Sequence, residues 1–361
     1  MPQLTSLGEY PAGSVSCAES TGELKSGTRN RWFILFTNTQ IDFGFVVAAF
    51  VPMIVVLCTS ENHLRAAWRI CLGLGVIPPL SLIYLRLRLH EPEAFQRNSM
   101  NKAKTPWLLV IKFYGFRLVV VSLIWFIYDF SSYSFGIFSS TITTNLLGTN
   151  YPLWKSFGWN TLINLFYMPG TIIGSFVSDR FGPRYTLAFG VTAQAIVGFI
   201  MAGCYAPLSK VQNVGGFIVV YGVFLALGEL GPGNNIGLIA SKTCATGVRG
   251  QYYGIAAAVG KIGAFVGTQV LGILYERYEV SDPVKAGQYP FFISSALCVL
   301  SAFLAFFLLP HIGQDTIDLE DAKFKAYLTE HGYNVDHMGI HGGSTEAMVS
   351  KEEEGKSVRS S

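Results

Sequence analysis

Eight apolar stretches long enough to cross a bilayer dominate this chain, near 32–58, 66–88, 112–142, 156–178, 185–207, 214–240, 252–275 and 289–310. Lipid offers no partner to a backbone amide or carbonyl, so runs of this length fold as helices whose hydrogen bonds close internally. Composition points the same way: 14% of residues are charged, against about 25% in an average soluble domain. The chain reads as an all-α, multi-pass membrane protein. Its third stretch is too long for a straight span, so its ends are expected to project beyond the hydrocarbon. The six cysteines are scattered without paired spacing, which argues against a disulfide framework or a zinc site. Residues 1–31 are polar and carry no basic region followed by an apolar core, so they do not read as a signal peptide.

Within the third stretch stands Trp125-Phe126-Ile127-Tyr128-Asp129-Phe130-Ser131-Ser132-Tyr133. Trp125, Asp129 and Tyr133 are spaced four apart, which puts them in one row on a helix. An ionised carboxylate near the middle of a span costs at least about 2.5 kcal/mol. A carboxylate kept there faces a water-filled path that carries protons, ions or substrate, or it bonds to a neighbouring helix as a structural group.

The basic residues are unevenly shared between the two sets of connections. One set holds Lys25, Arg29, Arg31, Arg86, Arg88, Arg97, Lys102, Lys104, Arg180, Arg184, Lys242 and Arg249, which is 12 residues. The other holds Arg65, Lys155, Lys210, Arg277 and Lys285, which is 5. Cytoplasmic connections collect lysine and arginine, so the first set and the C-terminal tail are expected in the cytoplasm. In that tail Thr316 to Glu330 could form a short acidic helix, and Ser344 to Ser361 reads as disorder.

Asp179-Arg180-Phe181-Gly182-Pro183-Arg184 joins two spans by a very short turn. Glycine permits the turn, and the arginines can reach helix C-terminal carbonyls or a carboxylate nearby. An ordinary basic loop would satisfy the same charge rule. The DRxGxR wording between two spans resembles the loop signature of the major facilitator superfamily, where it joins the second and third helices of a six-helix half. That resemblance implies a complete C-terminal half of six spans and an incomplete N-terminal half. The expected division is 1–88 for the partial half, 89–111 for a central loop, 112–310 for the six-helix half and 311–361 for the tail. Only two full spans precede the central loop, so the resemblance implies that the chain begins inside the fourth helix of a twelve-helix protein.

The opening Gly8-Glu9-Tyr10-Pro11-Ala12-Gly13-Ser14, with Gly228-Glu229-Leu230-Gly231-Pro232-Gly233-Asn234-Asn235, resembles fungal permeases of the phosphate:proton symporter group. Phosphate permeases of that group place asparagine directly after the Gly-Pro pair. Here Gly233 intervenes before Asn234, and Glu229 is an extra acid. This wording is most similar to the glycerophosphodiester permeases of the glycerophosphoinositol type, and Gly233 is expected to leave room near the phosphate. The resemblance implies that Tyr10, Gln40, Trp125, Asp129, Tyr133, Asn234 and Lys261 bind substrate. It implies that Asp129, and Glu9 if embedded in the membrane, exchange protons; Glu229, the extra acid inside a span, is a further candidate for proton coupling.

Lys261 in Gly260-Lys261-Ile262-Gly263-Ala264 would then face phosphate, with Asp129 as its anion at rest. Snorkelling to the interface is the other reading. The spacing is not that of a phosphate-cradling loop, because isoleucine follows the lysine. Gly254, Gly260, Gly263, Ala264 and Gly267 are better explained by close helix packing than by a ligand.

The function expected from this resemblance is proton-coupled uptake of a glycerophosphodiester, such as glycerophosphoinositol, across the plasma membrane. The expected partners are substrate, protons and the lipid bilayer, with no cofactor, no metal and no nucleic acid. Inorganic phosphate symport is one alternative, and a truncated non-transporting remnant or receptor is another. An enzyme is disfavoured, since no nucleophile–base pair or metal cluster stands out and the buried polar residues lie on separate spans.

Overall fold

A computed structural model of the chain describes residues 2–86, 92–100, 105–136, 151–335 and 338–339. Within them every long element is a helix. They run α1 (Pro2–Thr21), α2 (Arg29–Phe36), α3 (Asn38–Thr59), α4 (Leu64–Leu74), α5 (Ile77–Arg86) and α6 (Glu93–Asn98). These are followed by α7 (Trp107–Tyr128), α8 (Leu153–Leu165), α9 (Tyr167–Phe181), α10 (Pro183–Gly203) and α11 (Val214–Gly228). The last four are α12 (Asn234–Lys242), α13 (Thr246–Glu279), α14 (Pro283–Leu308) and α15 (Thr316–Glu330). Eight helical runs among the described residues are long and apolar enough to span a membrane, from Arg29–Thr59 to Pro283–Leu308. The third covers Trp107–Gly136, starting five residues before the expected 112. Positions 137–142 of that stretch, the central-loop residues 101–104 and Ser344 to Ser361 lie outside the described residues.

The bundle is apolar outside and partly polar inside. Leu108, Phe116, Val119, Phe303 and Phe307 are exposed on its rim. Ser131, Thr171, Ser178, Gln194 and Asn235 are buried between helices. That is the order a lipid environment requires: apolar rims meet acyl chains, and small polar groups join helices by hydrogen bonds. Ser178 Oγ bonds Asn235 Oδ1 at 2.5 Å, and Ser132 Oγ bonds Gln194 Oε1 at 3.1 Å.

α10 packs along α14, α13 along α7, and α3 along α8. The α13–α7 approach is close because a Cβ on Gly263 or Gly267 would run into the backbone of Phe126 or Phe130. Gly254 is different: nothing lies within 4 Å of its missing Cβ. Close packing therefore accounts for Gly260, Gly263 and Gly267 but not for Gly254. The first span, expected in a part of its own, lies against a later helix. Thr39 and Thr171 hydroxyls meet at 3.0 Å across α3 and α9.

One end of the bundle gathers the basic connections and the tail. Asp179 accepts from the Arg31 backbone at 3.0 Å and from Gln314 Nε2 at 3.1 Å. Buried Lys242 donates to Asn30 Oδ1 at 2.6 Å. Gly182 turns the chain at φ 86°, a conformation that glycine adopts without a Cβ penalty. Arg184 caps α14 by donating to the Phe306 carbonyl, while Arg180 is exposed. Within the tail, α15 is a docked helix, over the stretch expected as a short acidic helix. Phe324 and Leu328 are buried beside Tyr114 and Val248. Asp321 accepts from the Thr246 backbone at 2.6 Å and from its hydroxyl at 2.7 Å, which caps the first turn of α13.

Candidate functional site

Two long helices lose their regular winding at an acidic residue. Asp129–Tyr133 follows α7 and Glu229–Gly233 follows α11, each as a single π-helical turn. Such turns insert an extra residue and concentrate at functional sites. At Glu229–Gly233 the cause is legible: Pro232 lacks an amide hydrogen and Gly233 lacks a Cβ. A Cβ on Gly233 would collide with the Glu229 carboxylate and approach Tyr128 Oη to 2.9 Å. That carboxylate takes the space of the missing Cβ, while Gly233 itself lines a cavity.

Both acids face a cavity of about 460 Å³ between α1 and α3 on one side and α7 and α13 on the other. Asp129 is 1% exposed and makes an ion pair with Lys261 Nζ at 3.3 Å. The Lys261 side chain keeps 39% of its surface accessible and lines the cavity. Glu229 accepts from Tyr128 Oη at 2.9 Å and from Asn38 Nδ2 at 2.8 Å. Trp125 lines the cavity with its indole edge-on to Tyr253, ring centroids 5.4 Å apart. Gly260 makes the indole's place, because a Cβ there would meet the ring. Tyr10 also lines the cavity, 6.0 Å between ring centroids from Tyr253. The side chains of Glu9 and Tyr133 lie outside the described residues.

Two of the expected binding residues stand elsewhere. Gln40 is exposed and turns back to the Leu35 carbonyl at 3.3 Å, away from the cavity. The chain breaks between α2 and α3 at Thr37 (φ −107°, ψ −80°), and the register after that break turns Asn38, Ile41 and Asp42 inward instead. Asn234 is 1% exposed and sits behind the wall of the main cavity. Its Oδ1 accepts from Asn38 at 2.9 Å and from Thr171 Oγ1 at 2.7 Å, and its Nδ2 donates to the Thr171 carbonyl at 2.8 Å. With these bonds made, Asn234 holds Asn38 in position.

Sequence reasoning overlooked Asp42, Asn38 and Tyr128. The signal for Asp42 was present: Ile41-Asp42-Phe43 places a carboxylate inside an apolar span, as at Asp129. Asp42 is 1% exposed and lines the cavity. The arrangement can hold an anion at Lys261. It can also shift protons among carboxylates that lie on three different helices.

Residues 90–324 match the family model described as sugar (and other) transporter. The chain is 52% identical over 337 residues to the glycerophosphocholine permease GIT4 of Candida albicans, covering 92% of this chain and 63% of that protein. It is 51% identical over 338 residues to the major glycerophosphoinositol permease GIT3 of the same organism, again covering 92% of this chain and 63% of that protein. The chain thus spans less than two thirds of the length of these relatives. Its fold is similar to that of the major facilitator superfamily proton:xylose symporter XylE, with a TM-score of 0.69 and 14% identity. That likeness covers 86% of this chain and 70% of the symporter. With eight apolar helical spans and a family match over most of its length, the chain belongs to the sugar (and other) transporter family as a multi-pass membrane protein.

Proposed function

We propose that this protein carries a glycerophosphodiester across the plasma membrane together with protons, with its tail in the cytoplasm. The observation that carries the reading is the Lys261–Asp129 pair, a partly accessible lysine beside a buried carboxylate at 3.3 Å on the cavity wall. An ammonium at that depth suits phosphate through charge-assisted hydrogen bonds. The similarity to glycerophosphocholine and glycerophosphoinositol permeases supports the substrate class. The bias of 12 basic residues against 5 in the connections supports the orientation. The cavity lies between α1 and α3 on one side and α7 and α13 on the other, which suits rocking of one unit against the other.

The coupling step follows from the pair. An ionised Asp129 competes with phosphate for Lys261 and repels it; a protonated Asp129 releases the lysine and removes the repulsion. Proton and phosphate then enter together, and loss of the proton expels the phosphate. The test is uptake in cells expressing the full-length protein, with glycerophosphoinositol, glycerophosphocholine and inorganic phosphate as competitors. Competition by the two diesters at lower concentration than inorganic phosphate supports the reading; preference for inorganic phosphate, or no uptake, overturns it.

Asp129→Asn separates coupling from binding. Asparagine keeps the size and hydrogen bonding of the protonated acid and fixes its charge at zero. Ligand binding is expected to survive or tighten, while net uptake and its rise with acidity are lost. Asp129→Ala also removes the hydrogen-bonding group, so binding itself weakens. Uptake by Asp129→Asn that still rises steeply with acidity places the coupling proton elsewhere, with Glu9 and Glu229 next.

A further inference from the structure

We propose that Asp42 and Glu229 form a cation subsite in the same cavity, one that takes the quaternary ammonium of a zwitterionic glycerophosphodiester. The proposal rests on the transport reading above. Its starting point is the balance of charge on the cavity wall. Among the described lining residues stand three carboxylates, Asp42, Asp129 and Glu229, and one basic side chain, Lys261. The lysine is matched to Asp129. Glu229 is held by neutral donors, Tyr128 Oη and the Asn38 amide. Asp42 is 1% exposed, and its Oδ2 meets no hydrogen-bond donor among the described residues.

A buried carboxylate without a donor is costly, and a ligand that supplies positive charge relieves the cost. Asn38 and Asp42 are four apart on α3, hence on one face of it. The Asn38 amide reaches Glu229 at 2.8 Å, which turns that face toward the second carboxylate. Asn234 fixes Asn38, and Gly233 leaves the space in which the Glu229 carboxylate sits. The helix break at Thr37 and the π-turn at Glu229–Gly233 thus serve one arrangement.

The surroundings favour a quaternary ammonium over a primary one. A trimethylammonium group has no N–H to donate, so it is recognised by anionic charge and aromatic faces. Phe45, Trp125 and Tyr128 line the same cavity. Aromatic faces attract such cations, most strongly when the contact is desolvated. The cavity is then dipolar, with an ammonium for the phosphate and two carboxylates for the head group. A zwitterion satisfies both ends at once, while a diester with an uncharged head group leaves the second end uncompensated.

The experiment is equilibrium binding to the full-length protein, at matched folded amounts, with glycerophosphocholine and glycerophosphoinositol as the two probes. The unmodified protein is expected to bind glycerophosphocholine at least as tightly as glycerophosphoinositol. Asp42→Asn and Glu229→Gln, both close in size to the native side chains, are each expected to lower the affinity ratio of the first probe to the second by about tenfold, as expected for loss of a close charge contact. Equal weakening of both probes assigns the carboxylates to proton coupling or folding and overturns the subsite, as does an unchanged ratio. An unmodified protein that binds glycerophosphoinositol but rejects glycerophosphocholine overturns the subsite and leaves the transport reading standing. Binding of neither probe overturns both.

Discussion

Lys261→Ala is expected to abolish uptake in the full-length protein while folded protein still accumulates. Lys261 is the one basic side chain among the described residues of the cavity wall. A hydrogen bond to a charged group contributes about 1.5–3 kcal/mol, and each 1.4 kcal/mol is about tenfold in affinity. Removing the ammonium does more than delete that contact. Asp129, buried and paired at 3.3 Å, is left as an uncompensated carboxylate beside the proposed phosphate position. The two losses act in the same direction on the anion. Lys261→Arg is expected to retain little activity, because a rigid planar fork does not replace a compact ammonium. Adding Asp129→Asn to Lys261→Ala removes the stranded charge, so folded yield improves, yet uptake is not restored. Normal transport by Lys261→Ala would sink the anion-site assignment and leave snorkelling as the account of this lysine.

How far the site could be read from sequence depends on the kind of signal each residue gives. Asp129 and Lys261 stand out because a charge inside an apolar span is conspicuous, and their opposite signs invite pairing. The spans and the short turn at Gly182 follow from run length and from glycine. The helix Thr316–Glu330 follows from its composition, but its docking on α13 through Asp321 joins residues 75 positions apart, which no local pattern encodes. Gln40 was placed by resemblance, and the break at Thr37 sets a register that only coordinates reveal. Asn234 follows a π-turn, whose extra residue rotates everything after it relative to an α-helical wheel. Asp42 was legible by the rule that singled out Asp129. Its neighbour Asn38 was not, because its role comes from Glu229 and Asn234 on another helix.

Breaking the pair between Glu19 and Arg249 is expected to have the largest effect on stability. The two meet at 2.8 Å, with side chains 3% and 0% exposed. Arg249 also donates to the Cys244 carbonyl at 3.3 Å. Glu19 belongs to α1 and Arg249 to α13, the helices that carry Tyr10 and Lys261 on the cavity wall. Nine residues separate Tyr10 from Glu19 and twelve separate Arg249 from Lys261, so the pair lies ~13–18 Å below the cavity. That is the end where Asp179, Lys242 and the tail are gathered. There the pair closes the bundle beneath the cavity. Removing one partner of a buried ion pair strands the other, at a cost of about 3–5 kcal/mol. Arg249→Ala should therefore lower the apparent melting temperature in detergent by several degrees, and Glu19→Gln should do so by less, since glutamine keeps a hydrogen-bond acceptor. Replacing both residues by apolar ones of similar length, Glu19→Leu with Arg249→Met, removes both charges and should recover most of the lost stability. The α1–α13 contact would then lack its ion pair, so uptake should stay impaired if opening and closing there depend on it. A single Arg249→Ala that melts like the unmodified protein would show that the pair adds nothing to this end. A double variant less stable than either single one would show that packing, not stranded charge, was the cause.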